Sequence, residues 1–392
     1  MDHVLIAGAG PVGMVAASCL ADAGVRVTIV EQSPDLPDDL RASTFHPPTL
    51  DMLERFGVVP AMIEQGLVCP QWQVRDRERG VIATYDLGVL RHDTNHPYRL
   101  QCEQWRLTRM LRDRLAANPD VTFRYGATVV GVTQGADGVE LALEDGEVVR
   151  GAWLIGADGA RSAVRKSLGV AFEGMTIPEV FLTLSTSFRF EQAIPDLANI
   201  AYISDPDEWF VLLRNAGLWR LLLPTQPSET EEGMLRAQRI EERMQGVLPT
   251  GVPYDVRHRT AYRVHERVAE KYVVGRVMLA GDAAHVNNPL GGMGMNGGVH
   301  DAFNLAAKLI EVLRGADAAL LGRYERQRRK VAVEVVQQQA LRNRANMNNR
   351  DPVKREAAFA EMRATVSNPR KHREFLLRGS LIQSLRDLEN VA

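Results

Sequence analysis

The residues with the clearest chemical meaning are glycines. From Val277 to Gly298 the chain reads Val-Met-Leu-Ala-Gly-Asp-Ala-Ala-His-Val-Asn-Asn-Pro-Leu-Gly-Gly-Met-Gly-Met-Asn-Gly-Gly. Side chains are missing wherever a flat, polar ligand would need to approach the backbone. An apolar strand enters Gly281-Asp282, and a loop holding Pro289, Gly291, Gly292 and Gly294 opens a helix expected from about Asn296 to Leu313. The first turn of a helix offers unpaired amide donors and a partial positive charge, which suits a ligand that becomes anionic.

The elements that must position this loop begin at the amino terminus. His3 to Ala7 reads as a buried strand, Gly8-Ala-Gly-Pro-Val-Gly13 as a GxGxxG turn, and Pro11 to Ala23 as a helix. A second strand, Arg26 to Val30, ends at Glu31 and Gln32. Strand, turn, helix, strand and acid stand in the order that a dinucleotide fold requires. Gly8 permits the tight turn, Gly10 lets backbone meet a pyrophosphate, and Gly13 lets helix and strand pack closely. Pro11 and Val12 complete the turn, and Glu31 can accept hydrogen bonds from a ribose. A glycine turn can also serve packing alone.

A third motif, Trp153-Leu-Ile-Gly-Ala-Asp-Gly-Ala-Arg-Ser-Ala-Val-Arg165, joins a strand to a new helix through Asp158-Gly159. With the two glycine segments, it resembles the single-component (class A) FAD-dependent aromatic hydroxylases, the monooxygenases typified by para-hydroxybenzoate hydroxylase. The resemblance runs from about Asp2 to Ala332, with a departure at Ala152, where a charged residue is usual. It implies an α/β fold: a Rossmann-like FAD-binding domain of the GR2 type, an inserted β-sheet substrate domain, and a helical C-terminal tail. The FAD domain would comprise residues 1–74, 100–170 and 268–321, the substrate domain 75–99 and 171–267, and the tail 322–392. Strand-like runs at Val180 to Phe190, Ile200 to Ile203, Phe210 to Leu213 and Trp219 to Leu223 would form a sheet roofing the flavin.

The resemblance also implies the chemistry. NADH or NADPH would reduce FAD, a flavin C4a-hydroperoxide would form with O2, and an electron-rich aromatic ring would take one oxygen atom. The substrate would be a small phenolic, aminoaromatic or hydroxylated heteroaromatic compound. Asp282 would accept from ribityl or ribose hydroxyls, Pro289 would lie against the flavin edge, and amides from Gly291 through Met293, Gly294, Met295 and Asn296 would face flavin N1 and C2=O. Arg41 would touch the FAD or nicotinamide phosphates, with a plain surface arginine as its alternative, and Gln101 and Arg106 match a further FAD-contacting segment, although either could instead cap or solvate a helix. His46 is the candidate base for the substrate's proton, with a purely structural role as its alternative. Tyr202 is a second exit for that proton, and His46, Tyr202 and Pro289 form the expected catalytic set. Tyr202, Trp209, Arg214 and Trp219 lie in the roof, where aromatics could sandwich a ring and Arg214 could receive a carboxylate. Met293 could line the same pocket or merely fill space. His285 is expected to serve structure.

Composition sets limits. The formal net charge of −2 over 392 residues gives no electrostatic case for nucleic acid. No segment is long and apolar enough to span a bilayer, and no leader is evident, so a cytoplasmic enzyme, monomer or homodimer, is expected. Cys19, Cys69 and Cys102 form neither a redox pair nor a metal cluster. No second GxGxxG follows a strand, so NAD(P)H would use a surface groove. A thioredoxin-like C-terminal domain, as in larger phenol hydroxylases, is not expected. The basic run at Tyr324 to Lys330 is followed by Val331, Val333, Val335 and Val336, which implies a tail helix docked on the body. Two other classes remain open: a different flavin reaction such as epoxidation, alkene reduction or oxidation, and a non-enzymatic carrier on the same scaffold. Halogenation is disfavoured because a Trp-x-Trp-x-Ile-Pro segment is missing.

Overall fold

The computed structural model describes residues 3–38, 42–225, 229–347 and 349–391. Its centre is a six-stranded sheet ordered Val273–Val274, Val277–Leu279, Trp153–Gly156, His3–Ala7, Arg26–Val30 and Val121–Arg124. The four internal pairings are parallel and only the outer Val273–Val274 strand runs antiparallel. Val4, Leu5 and Ile6 are fully buried, as expected of a parallel strand covered on both faces. The covering helices include Pro11–Asp22, Gln104–Ala116 and Met293–Leu313. A three-stranded antiparallel sheet, Val148–Gly151, Gly138–Leu143 and Val129–Gly135, lies beside this core.

The roof is an eight-stranded sheet ordered His285–Val286, Val256–Ala269, Phe172–Thr186, Trp219–Pro224, Phe210–Arg214, Ile200–Ser204, Gln71–Asp76 and Gly80–Asp86. Strand residues alternate between its faces. One face carries Leu182, Leu184, Phe210, Leu212, Trp219 and Leu221 against the Ala237–Val247 helix. The opposite face carries Phe181, Val211 and Leu222, and it meets Leu290 of the glycine loop. This second face is the ceiling of the site.

Several boundaries differ from the sequence reading. The expected breaks at 74/75, 99/100 and 267/268 fall inside the strands Gln71–Asp76, Arg99–Gln101 and Val256–Ala269. The run at Val180 to Phe190 ends as a strand at Thr186, and Phe190 instead starts a short helix, Phe190–Ala193. The glycine-loop helix begins at Met293, earlier than expected.

The tail is helical: Leu320–Lys330, a seven-residue π-helix at Val331–Gln337, then Gln338–Met347, Pro352–Val366, Pro369–Gly379 and Ile382–Asp387. Val331 and Val336 are buried and Val333 is exposed, so the π-helix docks by one side. Phe375, Leu376 and Leu377 pack with Trp72 and Tyr85 of the roof.

Candidate active site

The amino-terminal turn separates glycines that serve packing from one that leaves room. A Cβ on Gly13 would stand 2.0 Å from the Gly8 carbonyl oxygen, and one on Gly8, where φ is +99°, would stand 2.4 Å from the Ala157 oxygen. Both positions require glycine for the fold itself. Gly10 is different: its φ is −70°, open to any residue, and nothing lies within 4 Å of the point where its Cβ would be. It stands at the start of the Pro11–Asp22 helix, where free amides favour a phosphate. Glu31 braces the turn, accepting from the Ala9 amide at 2.8 Å and the Ser33 amide at 2.9 Å, and each carboxylate oxygen keeps acceptor capacity for a ribose. Gln32 is exposed.

The Asp158 and Gly281 motifs close around this turn. Asp158 Oδ2 accepts from the Val164 amide at 3.1 Å, while buried Oδ1 has no partner among the described residues. Gly281, with φ +61°, lies against Val12, and a Cβ on either Gly281 or Gly298 would come within 2.7 Å of the Val12 side chain. Asp282 beside it is exposed. Beneath sits a buried charge network. Asp301 accepts from His285 at 2.7 Å, from the Gly281 amide at 3.1 Å and from Arg328 at 2.5 Å. Burial opposes ionisation of Asp301, but Arg328 and His285 outweigh it and hold its pKa at about 2. His285 is thus engaged in this network, and Arg328 ties the tail to Asp301 and to the Gly297 carbonyl.

The glycine loop is held from both sides. Glu266 Oε1 accepts from the Asn288 amide at 2.9 Å and its Nδ2 at 2.6 Å, and Asn288 Oδ1 accepts from the Leu290 amide at 3.0 Å. Gly291 and Gly292 follow Pro289 with φ of +107° and +67°, and Gly292 caps the Met293–Leu313 helix. Buried Asn296 donates to the Thr44 and Gly292 carbonyls at 2.8 and 2.6 Å and accepts from the His46 amide at 2.9 Å. A Cβ on Gly294 would lie 3.3 Å from Asn287 Oδ1, and Met295 is half-buried beside the core.

His46 is fully buried at the start of the Pro47–Leu53 helix and donates from Nε2 to the Gly291 carbonyl at 2.8 Å. That contact fixes the tautomer, leaving Nδ1 as an acceptor without a partner among the described residues. Burial, and then the charge of Arg99, hold its basicity well below the usual histidine range. Gln101 is buried, accepting from Ser43 Oγ at 3.0 Å and donating to Thr44 Oγ1 at 2.9 Å. Arg106 pairs with Glu103 at 3.0 Å and donates to Gln65 at 3.0 Å. Arg41 lies outside the described residues.

The roof corrects three expectations. Trp219 is on the outer face, donating to Glu191 at 2.6 Å and packing against Phe190, and Arg214 pairs with the same Glu191 at 3.3 Å. Strand alternation turns both toward the outer face, away from the face that meets Leu290 of the glycine loop. Met293 packs with Val331, Val336, Ala340 and Leu388 of the tail rather than against the ceiling. Tyr202 does lie on the inner face, half-buried between two apolar clusters and edge-on to Trp72 at 5.6 Å. Trp209 packs edge-on to Phe181 in the inner cluster.

Other participants were missed by the sequence reading. Asp301 was detectable as a lone acid on the apolar side of a helix. Asn343, which donates to the Leu290 carbonyl at 3.2 Å, and Met347, buried against the ceiling, left no local signal. Arg99 is buried in a short strand with Nε and Nη1 unpartnered among the described residues. Among those residues there is no cluster of metal-ligating side chains and no helix long and apolar enough to cross a membrane.

This arrangement fits FAD: an open glycine at a helix start, a braced acid at the end of the second strand, an orphaned Asp158 oxygen and a glycine loop opening a second helix. Comparisons with known proteins agree. A family model described as FAD binding domain matches residues 1–339. The chain belongs to that family, the class A single-component FAD-dependent aromatic-ring monooxygenases. It is 35% identical over 389 residues to para-nitrophenol 4-monooxygenase of Pseudomonas sp. (strain WBC-3), covering 96% of this chain and 95% of the relative. It is also 35% identical to 6-hydroxy-3-succinoylpyridine 3-monooxygenase of Pseudomonas putida, over 90% of each chain. The crystal structure of p-nitrophenol 4-monooxygenase from Pseudomonas putida superposes with a TM-score of 0.91 at 33% identity, covering 98% of this chain and 99% of that one.

Proposed function

We propose that this protein uses NAD(P)H and O2 to hydroxylate a small phenolic or hydroxylated heteroaromatic compound. The supporting observation is the pairing of an FAD cradle with an aromatic, partly polar ceiling: Tyr202 packs into the cluster that holds Leu290 of the glycine loop and meets Trp72 edge-on, Arg99 lies over Trp72, and buried His46 bonds to Gly291. The relatives named for nitrophenol and for a hydroxylated pyridine support the same substrate class. Bound in the cradle, FAD would supply hydride acceptance and oxygen activation.

The chain's own residues have defined parts in this reading. Glu31 and Asp158 hold sugar hydroxyls, Gly10 admits the pyrophosphate, and the loop from Gly291 to Asn296 presents amides to the electron-rich end of the flavin. Asn288, Asn296 and His46 keep that loop in one conformation, which places the donors before charge develops. His46 acts as a neutral hydrogen-bond acceptor through Nδ1, and Tyr202 orients the ring from above.

The test is a panel of phenols, aminoarenes and hydroxypyridines, scored for stimulated NADH or NADPH oxidation under labelled dioxygen with product mass measured. One labelled oxygen atom in the product of at least one compound is the expected result. Stimulated oxidation that yields only hydrogen peroxide across the panel would contradict the reading.

A further inference from the structure

Among the described residues, Arg99 is a buried guanidinium with no ion-pair partner. It is 4% exposed, and neither Nε nor Nη1 has a partner among the described residues. Burying an unpaired charge is costly, so such a group persists where something else satisfies it. Its surroundings are a built site rather than a random gap. The guanidinium lies over the Trp72 ring at 5.0 Å, and that indole is stacked on Tyr85 at 4.1 Å. Tyr202 meets Trp72 edge-on at 5.6 Å. The cation–π contact fixes the direction of the side chain, while Nε and Nη1 stay unused among the described residues. Antiparallel pairing of Phe45 with Leu100 puts Arg99 across the ladder from His46, the residue that holds Gly291.

The unused groups complement one another. Arg99 offers donors, and His46 Nδ1 offers an acceptor. An oxygen substituent on an aromatic ring can accept from the first and, when it carries a proton, donate to the second. We propose that Arg99 is the receptor for an anionic oxygen of the aromatic substrate, phenolate or carboxylate, at the site it forms with Trp72 and His46. The proposal rests on the hydroxylase reading for the nature of the ring, and it names the feature by which that ring is selected. A planar guanidinium suits either oxyanion, and the loss of one such charge-assisted contact is expected to weaken binding by roughly 10- to 100-fold.

The experiment is calorimetric binding to the FAD-loaded full-length protein with two matched pairs: 4-nitrophenolate against 4-nitroanisole, and benzoate against methyl benzoate. The wild type should prefer at least one anion over its neutral partner by about 10-fold or more, and the preferred pair identifies phenolate or carboxylate. Arg99→Met should erase that preference, keep its FAD, and unfold at the same temperature or higher, because an uncompensated buried charge has been removed. Arg99→Lys should keep part of the preference. A wild type that binds the neutral partners as well as the anions, or binds neither anion, overturns the proposal. So does a preference that survives in Arg99→Met; should that variant not fold, undiminished anion affinity in Arg99→Lys has the same meaning. Oxygen incorporation is scored separately. An Arg99-dependent anion preference without oxygenated product would remove the hydroxylase reading alone, and oxygenation of the neutral ligands by Arg99→Met would remove only the receptor.

Discussion

The cofactor cradle and the substrate ceiling are built by opposite means. The cradle is made of backbone: glycines at positions 8, 13, 281 and 298 that leave no room for a side chain, and amides from two helix starts. The ceiling is made of side chains on an eight-stranded sheet whose two faces carry different clusters. A cofactor shared by many enzymes can be met by a rigid, local device. A substrate must be met by residues that can change without disturbing the fold. The cradle should therefore fail as a unit, whereas the ceiling should tolerate change and shift specificity.

The largest expected effect is on the charge network under the cradle. Asp301→Asn leaves Arg328 buried without its counter-charge and weakens the hold on His285 and Gly281, so a loss of about 3–5 kcal/mol is expected in denaturant unfolding, together with weaker FAD retention. A loss under about 1 kcal/mol would show that Gly281 holds its place through packing alone.

Acid should break the cradle next. Burial holds the pKa of His300 at about 3 and that of His46 well below 6.5, and both are neutral in the fold. Unfolding lets each bind a proton below its ordinary value of 6.5, so stability falls as pH falls from that point, by about 1.4 kcal/mol per pH unit for each histidine. For His300 the decline ends near its folded value of about 3. Urea unfolding between pH 7 and 4 measures the slope, and His300→Gln should reduce it by one proton. Asp301 adds a further loss only between about 4 and 2, because its folded value lies below the unfolded one.

The smallest effects separate the two faces of the ceiling. Trp219→Phe loses its hydrogen bond to Glu191 and should cost about 1 kcal/mol of stability with KM unchanged. Tyr202→Phe should leave stability within about 0.5 kcal/mol and alter KM or the yield of product per NAD(P)H. The reverse pattern would place the substrate on the other face.

The same contrast explains how much was legible in the sequence. Glycine turns are local, so residues 8–13, 158–159 and 281–296 announced both fold and cofactor, and the tail's apolar valines announced its docking. Along Trp219-Arg-Leu-Leu-Leu-Pro224 the alternation of faces was readable, but which face looked inward depends on what layer covers it. Trp219 and Arg214 were placed on the wrong side for that reason. Arg99, Asn343 and Arg328 meet residues far away in the chain, Trp72, Leu290 and Asp301, and the basic run around Arg328 did not say which of its charges is buried.

Gly10 carries the central claim, because it is a glycine that the protein's own packing does not require. Gly10→Val adds a side chain where nothing lies within 4 Å and where φ is already −70°. The decisive measurement is the FAD dissociation constant of this variant beside its thermal unfolding as apoprotein. The account predicts an apoprotein that melts within a few degrees of wild type and binds FAD at least about 100-fold more weakly, since the new side chain stands where the pyrophosphate must meet backbone. Wild-type FAD affinity in a folded Gly10→Val variant would contradict it, and the cofactor would have to lie elsewhere.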